Sequence, residues 1–244
     1  MDEGQRRRPR IAIVLTSHAE LGNTGKKTGF YFEEMSTPYY IFKEAGIEVE
    51  LASIQGGEPP YDPASMADDA DQRPESVNRF LNDADAMAAL KATKPVGDLN
   101  PEDYDAVFLP GGHGTMWDMA DNETLGRFVG TIEHHKGVVG AVCHGPAGLL
   151  PAIDELGRQL LPNRRVNGFT NEEERQMELD SVVPFLLEDR LRDAGATFQA
   201  EDPFQPEVVT DERLVTGQNP ASSAGVAEKM VKLMKQTGAL KRAA

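Results

Sequence analysis

With 244 residues, 39% of them hydrophobic and 27% charged, the chain is long enough to build a core without disulfides or a structural metal. Its formal net charge of -15 argues against a nucleic-acid partner, because phosphate neutralisation needs clustered Lys and Arg. A single cysteine excludes an internal disulfide and fits a reducing compartment; with no run long enough to cross a bilayer and no secretory signal in the basic start, a cytoplasmic protein away from membranes is expected.

After a basic tail over residues 1–10, the apolar run 11–15 predicts a buried strand. Helical spacing over 33–45 stops at Gly46, a helix C-cap, and the alternating segment 47–53 predicts a second strand. Gly56-Gly57, Pro59-Pro60 and Asp62-Pro63 make 55–71 an ordered loop, and 76–90 predicts one helix with Ala, Leu and Met on one side. Residues 104–109 predict a strand closed by Pro110-Gly111-Gly112-His113-Gly114; 123–135 is helical, and 138–142 is the strand before Cys143. Beyond it, 165–171 reads as a strand plus turn, and 172–194 as a long acidic helical stretch broken near Pro184. Val208-Val209 and Leu214-Val215-Thr216 flank Asp211-Glu212 as a hairpin, and 219–237 is a closing helix. Short apolar strands alternating with amphipathic helices predict a mostly parallel sheet with helices on both faces and ligand sites at the carboxyl ends of strands.

Two such ends carry chemistry. The run from Val138 to Val142 leads straight into Cys143, His144 and Gly145, so a thiol is held on a sharp turn beside helix-start N–H groups, where it can be ionised and attack an electrophilic carbon. His144 is either a base that folds back onto the thiol or an ordinary capping histidine; adjacency in sequence leaves both readings open. Gly111-Gly112 allows backbone N–H groups to approach an anionic oxygen, and Gly111 and His113 are the substrate-binding candidates at an entrance. Glu33-Glu34 and Glu172-Glu173-Glu174 look from spacing alone like acidic first turns of helices. No HExxH or CxxC occurs, the GNTGKKTG segment lacks the P-loop spacing, and no metal site is expected.

The segments AVCHGPAGLL, FLPGGHGTMWD, EEMSTPYYIFKEAGIEVELAS, GGEPPYDPAS, RVNGFTNEEE and LVTGQNPASS together resemble the ThiJ/PfpI superfamily, also called class I glutamine-amidotransferase-like. Within it the chain is most similar to the branch of heat-shock chaperones and glyoxalase III enzymes. The resemblance runs from about Ile11 to about Leu233 and implies a flavodoxin-like three-layer sandwich, a nucleophile elbow after a central strand, small inserted loops, and one domain over 11–240. It places Cys143 as nucleophile and His144 as the adjacent catalytic histidine. By the same resemblance Glu34, four residues before Pro38, matches the family's buried glutamate that tunes the thiol. Glu174 orients the histidine, with Glu173 in that part if the register shifts by one. The Gly112 and His144 N–H groups form the oxyanion hole. The activity it implies is conversion of small 2-oxoaldehydes such as methylglyoxal to 2-hydroxy acids (D-lactate) through a Cys143 hemithioacetal, with no glutathione, redox cofactor or zinc, in a homodimer. A holding chaperone or protein deglycase, and a Cys-dependent amidase or peptidase, are the alternatives.

Overall fold

The computed structural model describes residues 7–236. The first apolar run forms β1 (Arg10–Leu15), and every residue from Ile11 to Leu15 is out of solvent. α1 (Phe32–Glu44) ends against Gly46, whose φ of 78° is the left-handed conformation in which helices often stop. β2 (Glu48–Ser53) then returns parallel to β1, with Val49 opposite Ile11. α2 (Glu75–Asn82), α3 (Ala84–Lys91), β3 (Lys94–Pro95), β4 (Ala106–Leu109), α4 (Thr115–Asp118), α5 (Glu123–His134) and β5 (Val138–Val142) follow. The rest of the chain holds β6 (Arg165–Val166), α6 (Asn171–Gln176), α7 (Leu187–Asp193), β7 (Thr197–Phe198), β8 (Val208–Asp211), β9 (Leu214–Gly217) and α8 (Ser223–Gln236).

Seven strands make one sheet in the order β3-β2-β1-β4-β5-β9-β8, parallel except for the β8–β9 hairpin. Side chains alternate across a strand, so each strand feeds two cores. Val14, Val107, Leu109 and Val139 join Phe128, Val129 and Ile132 of α5 on one face. Ile11, Ile13, Phe108 and Val138 join Phe42 of α1 and Val226 and Met230 of α8 on the other. The result is the flavodoxin-like three-layer α/β sandwich with helices on both faces. Its strand order turns back at β1 and β4, and the crevice outside the carboxyl ends at such a reversal is where ligands bind in open α/β sheets. Gly111-Gly112 and Cys143 both lie at those ends.

Three expectations are corrected. The single helix over 76–90 is two helices, because Asp83 leaves the helical conformation and its carboxylate caps α3 by accepting from the Ala86 N–H at 3.0 Å. The long acidic stretch 172–194 is helical only at its ends, as α6 and α7, with Glu178 at a φ of 56° just past α6. The turn after Cys143 continues as 3-10 helix over Gly145–Leu149 rather than as an α-helix, with Pro146 in its first turn. The strand expected in 165–171 is β6, which pairs with β7 in a small second sheet; β7 itself had no counterpart in the sequence pattern. The expected basic tail falls partly outside the described residues, and its last residue, Arg10, opens β1 and pairs with Glu48 and Glu50. Thr237 at the end of the closing helix also lies outside the described residues; α8 itself starts at Ser223, after a 3-10 turn over Pro220–Ser222.

Candidate active site

β5 is apolar and fully buried, so the chain emerges from the sheet at Cys143 with no freedom to drift. Cys143 holds a φ of 59°, a conformation that costs a non-glycine residue free energy and is kept only where the surroundings impose it. They do so on both sides: the Cys143 N–H donates to the Gly217 carbonyl at 2.9 Å, and its carbonyl accepts from the Phe169 N–H at 2.7 Å. The side chain that this turn presents is 3% exposed.

The next residue completes the pair. His144 Nδ1 lies 3.3 Å from Cys143 Sγ, and His144 Nε2 lies 2.7 Å from Glu174 Oε2. Since an ionised carboxylate only accepts, Nε2 carries the proton and Nδ1 is left with a lone pair toward the thiol. The imidazole is pinned from the side by the ring of Phe169, with centroids 4.4 Å apart. The adjacency of Cys143 and His144, undecided from sequence, is therefore a thiol–imidazole contact.

Glu173 and Glu174 separate cleanly. Both lie in the first turn of α6, where successive side chains are about 100° apart around the helix. Glu174 turns to His144. Glu173 turns inward, accepting from the Thr170 N–H at 2.9 Å through Oε2. Its Oε1 accepts from the Phe204 N–H at 2.8 Å, Gln218 Nε2 at 3.1 Å and Asn219 Nδ2 at 2.9 Å. The Thr170 hydroxyl accepts from the Glu173 N–H in return, a capping box that fixes the start of α6. The shifted register, with Glu173 on the histidine, does not occur.

Glu34 reaches the site from α1 and has no exposed surface. Its Oε2 accepts from the Gly111 N–H at 2.6 Å, while Oε1 is buried without a hydrogen-bond partner. Burial pushes this carboxyl up to about 8, against the lowering effects of the Gly111 N–H and the Cys143 thiol beside it. It is therefore a carboxylic acid at neutral pH, able to donate toward sulfur. Burial also raises the Cys143 thiol well above its usual value, with the charge of Glu34 adding to it and the His144 N–H opposing. Protonation of Glu34 removes its charge from beside the thiol. Burial lowers His144, helped by the neighbouring His113. Burial alone would raise Glu174, but the electrostatic pull and hydrogen bonds of the His144 and His113 imidazoles on its two oxygens hold it well below the usual carboxylate range. The resting site is a neutral thiol, a neutral imidazole with Nδ1 open, an ionised Glu174 and a protonated Glu34.

The other wall is the loop after β4. Gly112 has a φ of 98°, and a Cβ there would run into the Gly29 carbonyl and Tyr31 N–H, so only glycine fits. Thr115 Oγ1 donates to the Gly112 carbonyl at 2.9 Å and the His144 carbonyl at 3.1 Å, tying this loop to the Cys143–His144 turn. Gly111 does not offer a substrate its polar groups, since its N–H is held by Glu34 and its carbonyl accepts from the Tyr31 N–H at 3.0 Å. His113 is 9% exposed and lies on Glu174 Oε1 at 2.7 Å, deeper than an entrance residue. Tyr31 is a neighbour that spacing did not single out: its phenol is pushed up to about 12 by burial and by the charges of Glu34 and Cys143. Phe169, Gln218 and Asn219 lie within the RVNGFTNEEE and LVTGQNPASS segments but were given no role there, because their contacts with the site come from segments distant in sequence.

Among the described residues, His113, His144 and Glu174 form the one group of donors placed to hold a metal ion, with ligand atoms within 4.8 Å of one another. Each carboxylate oxygen already faces an imidazole N–H, so a cation would have to displace both protons and take the base with them. No described helix is long and apolar enough to cross a membrane.

The DJ-1/PfpI family model matches residues 27–233. A glutathione-independent glyoxalase of Saccharomyces cerevisiae is 31% identical over 233 residues, covering 93% of this chain and 98% of the relative. The crystal structure of glyoxalase III from Candida albicans matches with a TM-score of 0.82 at 32% identity, covering 92% of this chain and 97% of that one. The Rapid Encystment Protein 24 kDa of Francisella tularensis matches with a TM-score of 0.88 at 37% identity, covering 93% of this chain and 99% of that one.

Proposed function

The chain belongs to the DJ-1/PfpI family, and from that premise we propose that it is a glutathione-independent glyoxalase that turns methylglyoxal and similar 2-oxoaldehydes into 2-hydroxy acids. The observation that carries this reading is a cysteine, 3% exposed, whose Sγ lies 3.3 Å from the unprotonated nitrogen of a histidine held by a buried carboxylate. Such a site ionises its thiol only as it reacts, and it admits a small aldehyde better than a peptide, which needs an open groove. The similar proteins of S. cerevisiae and C. albicans are glyoxalases by name.

Cys143 Sγ attacks the aldehyde carbon as His144 Nδ1 takes the thiol proton, and that proton passes to the former aldehyde oxygen to give a hemithioacetal. His144 Nδ1 then removes the hydrogen from the carbon bonded to sulfur. The electron pair left behind forms an enediol, the ketone oxygen taking up a proton from water that the later loss of the first hydroxyl proton restores. Returning the proton to the second carbon and losing the hydroxyl proton of the first yields a thioester of the 2-hydroxy acid. One carbon is oxidised and its neighbour reduced, so no external redox partner enters. Water, deprotonated by His144, attacks the thioester; the C–S bond breaks and the sulfur recovers its proton. Glu174 stabilises the imidazolium at each step, the Gly112 and His144 N–H groups face the oxyanion, and Glu34 donates to the developing thiolate. The hydroxy acid from methylglyoxal is D-lactate.

The test is methylglyoxal consumption with D-lactate detection in the absence of glutathione, for the wild type beside Cys143→Ala. D-lactate from the wild type and none from a folded Cys143→Ala supports the reading. Turnover that survives the substitution, or a wild type that makes no lactate, overturns it.

A further inference from the structure

His113 was the entrance candidate, yet its geometry joins it to the acid–base machinery. Glu174 is 2% exposed, and its side chain accepts from two imidazoles and from no other described group: His144 Nε2 on Oε2 and His113 Nε2 on Oε1, each at 2.7 Å. The two rings lie 4.1 Å apart at their centroids, and both contact Phe169. The His113 loop is fixed to the His144 turn by Thr115, which donates to backbone carbonyls on both sides.

We propose that His113 is a positioning residue of the thiol reaction: by donating to Oε1 it fixes the plane of the Glu174 carboxylate, which keeps Oε2 on His144 Nε2 and His144 Nδ1 aimed at Cys143. The physical reason is that a carboxylate held at one oxygen can rotate and exchange its oxygens, whereas one held at both cannot. A buried oxygen stripped of its donor also bears an uncompensated desolvation cost. The second imidazole tempers base strength as well. His144 is faced by Glu174 and His113, by Glu173 behind them, and by the Cys143 thiol with Glu34 on its far side. Removing His113 takes away a neighbouring positive end and gives Glu174 wholly to His144, so the histidine titrates at higher pH.

This inference rests on the assignment of Cys143 and His144 as the reacting pair, so its test has a readout that needs no substrate. Cys143 is the single cysteine in the chain, and its alkylation by iodoacetamide reports the thiol–imidazole pair directly. His113→Ala and His113→Gln are compared with the wild type in the rate of alkylation against pH, in kcat and KM for methylglyoxal, and in thermal midpoint. His113→Ala is expected to lower kcat by about tenfold to a hundredfold, the scale of loss when a catalytic group is misplaced by about an ångström, with KM little changed. The acid limb of its alkylation profile moves to higher pH. His113→Gln, whose amide N–H can reach Oε1, recovers most of kcat and the wild-type limb. The inference is overturned if His113→Ala keeps the wild-type kcat and alkylation profile, if only KM rises, which makes His113 a substrate contact, or if Gln rescues no better than Ala at equal thermal midpoint. A wild type that alkylates normally but leaves methylglyoxal untouched sinks the glyoxalase reading and leaves His113 to be judged on the alkylation profile alone.

Discussion

The walls on the two sides of the Cys143–His144 pair each bring one buried carboxyl group, and the same burial has opposite consequences. On the α1 side, Glu34 receives one backbone N–H and leaves Oε1 without a partner, so desolvation prevails and the group is protonated at neutral pH. On the α6 side, Glu174 receives an imidazole N–H on each oxygen, and those donors prevail over desolvation. Burial is therefore no guide to charge until the donors are counted. With an acid on one side and an anion on the other, the sulfur is met by a donor while the imidazole is backed by a counter-ion. Under the proposed reaction, two carboxyl groups set apart in this way would divide its labour between them.

The contrast breaks hardest at Glu174. Glu174→Gln keeps the shape of the side chain but replaces an acceptor-only group with an amide that must donate from one end. One of the two imidazoles then has to turn its lone pair to the amide nitrogen, and if it is His144, Nδ1 becomes protonated and useless as a base. A fall in kcat on the order of 10³ or more is expected, as for a histidine held in the wrong tautomer. Steady-state kinetics beside a thermal melt checks it, and a variant within tenfold of the wild type would refute the counter-ion role.

A smaller and different effect is expected one residue earlier. Glu173 accepts from Thr170, Phe204, Gln218 and Asn219, all neutral donors, and not from His144. Glu173→Ala strands buried donors and opens the capping box, so a loss of about 1–3 kcal/mol in stability is expected, with kcat at low temperature reduced far less than by Glu174→Gln. Urea denaturation gives the first number and kinetics at 15–20 °C, roughly where domains are most stable, gives the second. Unchanged stability with a collapsed kcat would reverse the parts assigned to the two neighbours.

That pair also marks where the sequence stops being legible. The strand–turn geometry at Cys143 could be read directly, because an all-apolar β5 followed by Cys-His-Gly leaves few other conformations. The alternation of elements fixed a parallel sheet, and Asp211-Glu212 announced the β8–β9 hairpin. Glu172-Glu173-Glu174 could not be resolved, since three identical side chains differ only in helix phase, and phase depends on where Thr170 caps. His113 could not be tied to Glu174 from sequence because that partner lies 61 residues away and meets it only in the folded chain. The break at Asp83 was hidden by helix-forming residues on both sides; capping decided it, not propensity. In each case the missing information was a contact between segments remote in sequence.

The gentlest test concerns Glu34, where the prediction is a slope and not a loss. Its carboxyl is near 4.5 in an unfolded chain and pushed up to about 8 by burial in the folded one. A group whose folded value is raised adds stability that is complete below the unfolded value and is lost as pH rises through the folded one. Between these limits the unfolded state has released the proton that the folded state still holds, so unfolding becomes easier by up to about 1.4 kcal/mol per pH unit, and above about 8 the loss levels off. Glu34→Gln is neutral at every pH and keeps a carbonyl oxygen for the Gly111 N–H. The variant should therefore lack this slope: close to the wild type near pH 5, and more stable than it by pH 8. Denaturation midpoints across that range, taken for both proteins in the same salt, check the sign. Parallel curves would mean that Glu34 is ionised in the folded protein, and its charge would then stand beside the sulfur and oppose formation of the thiolate.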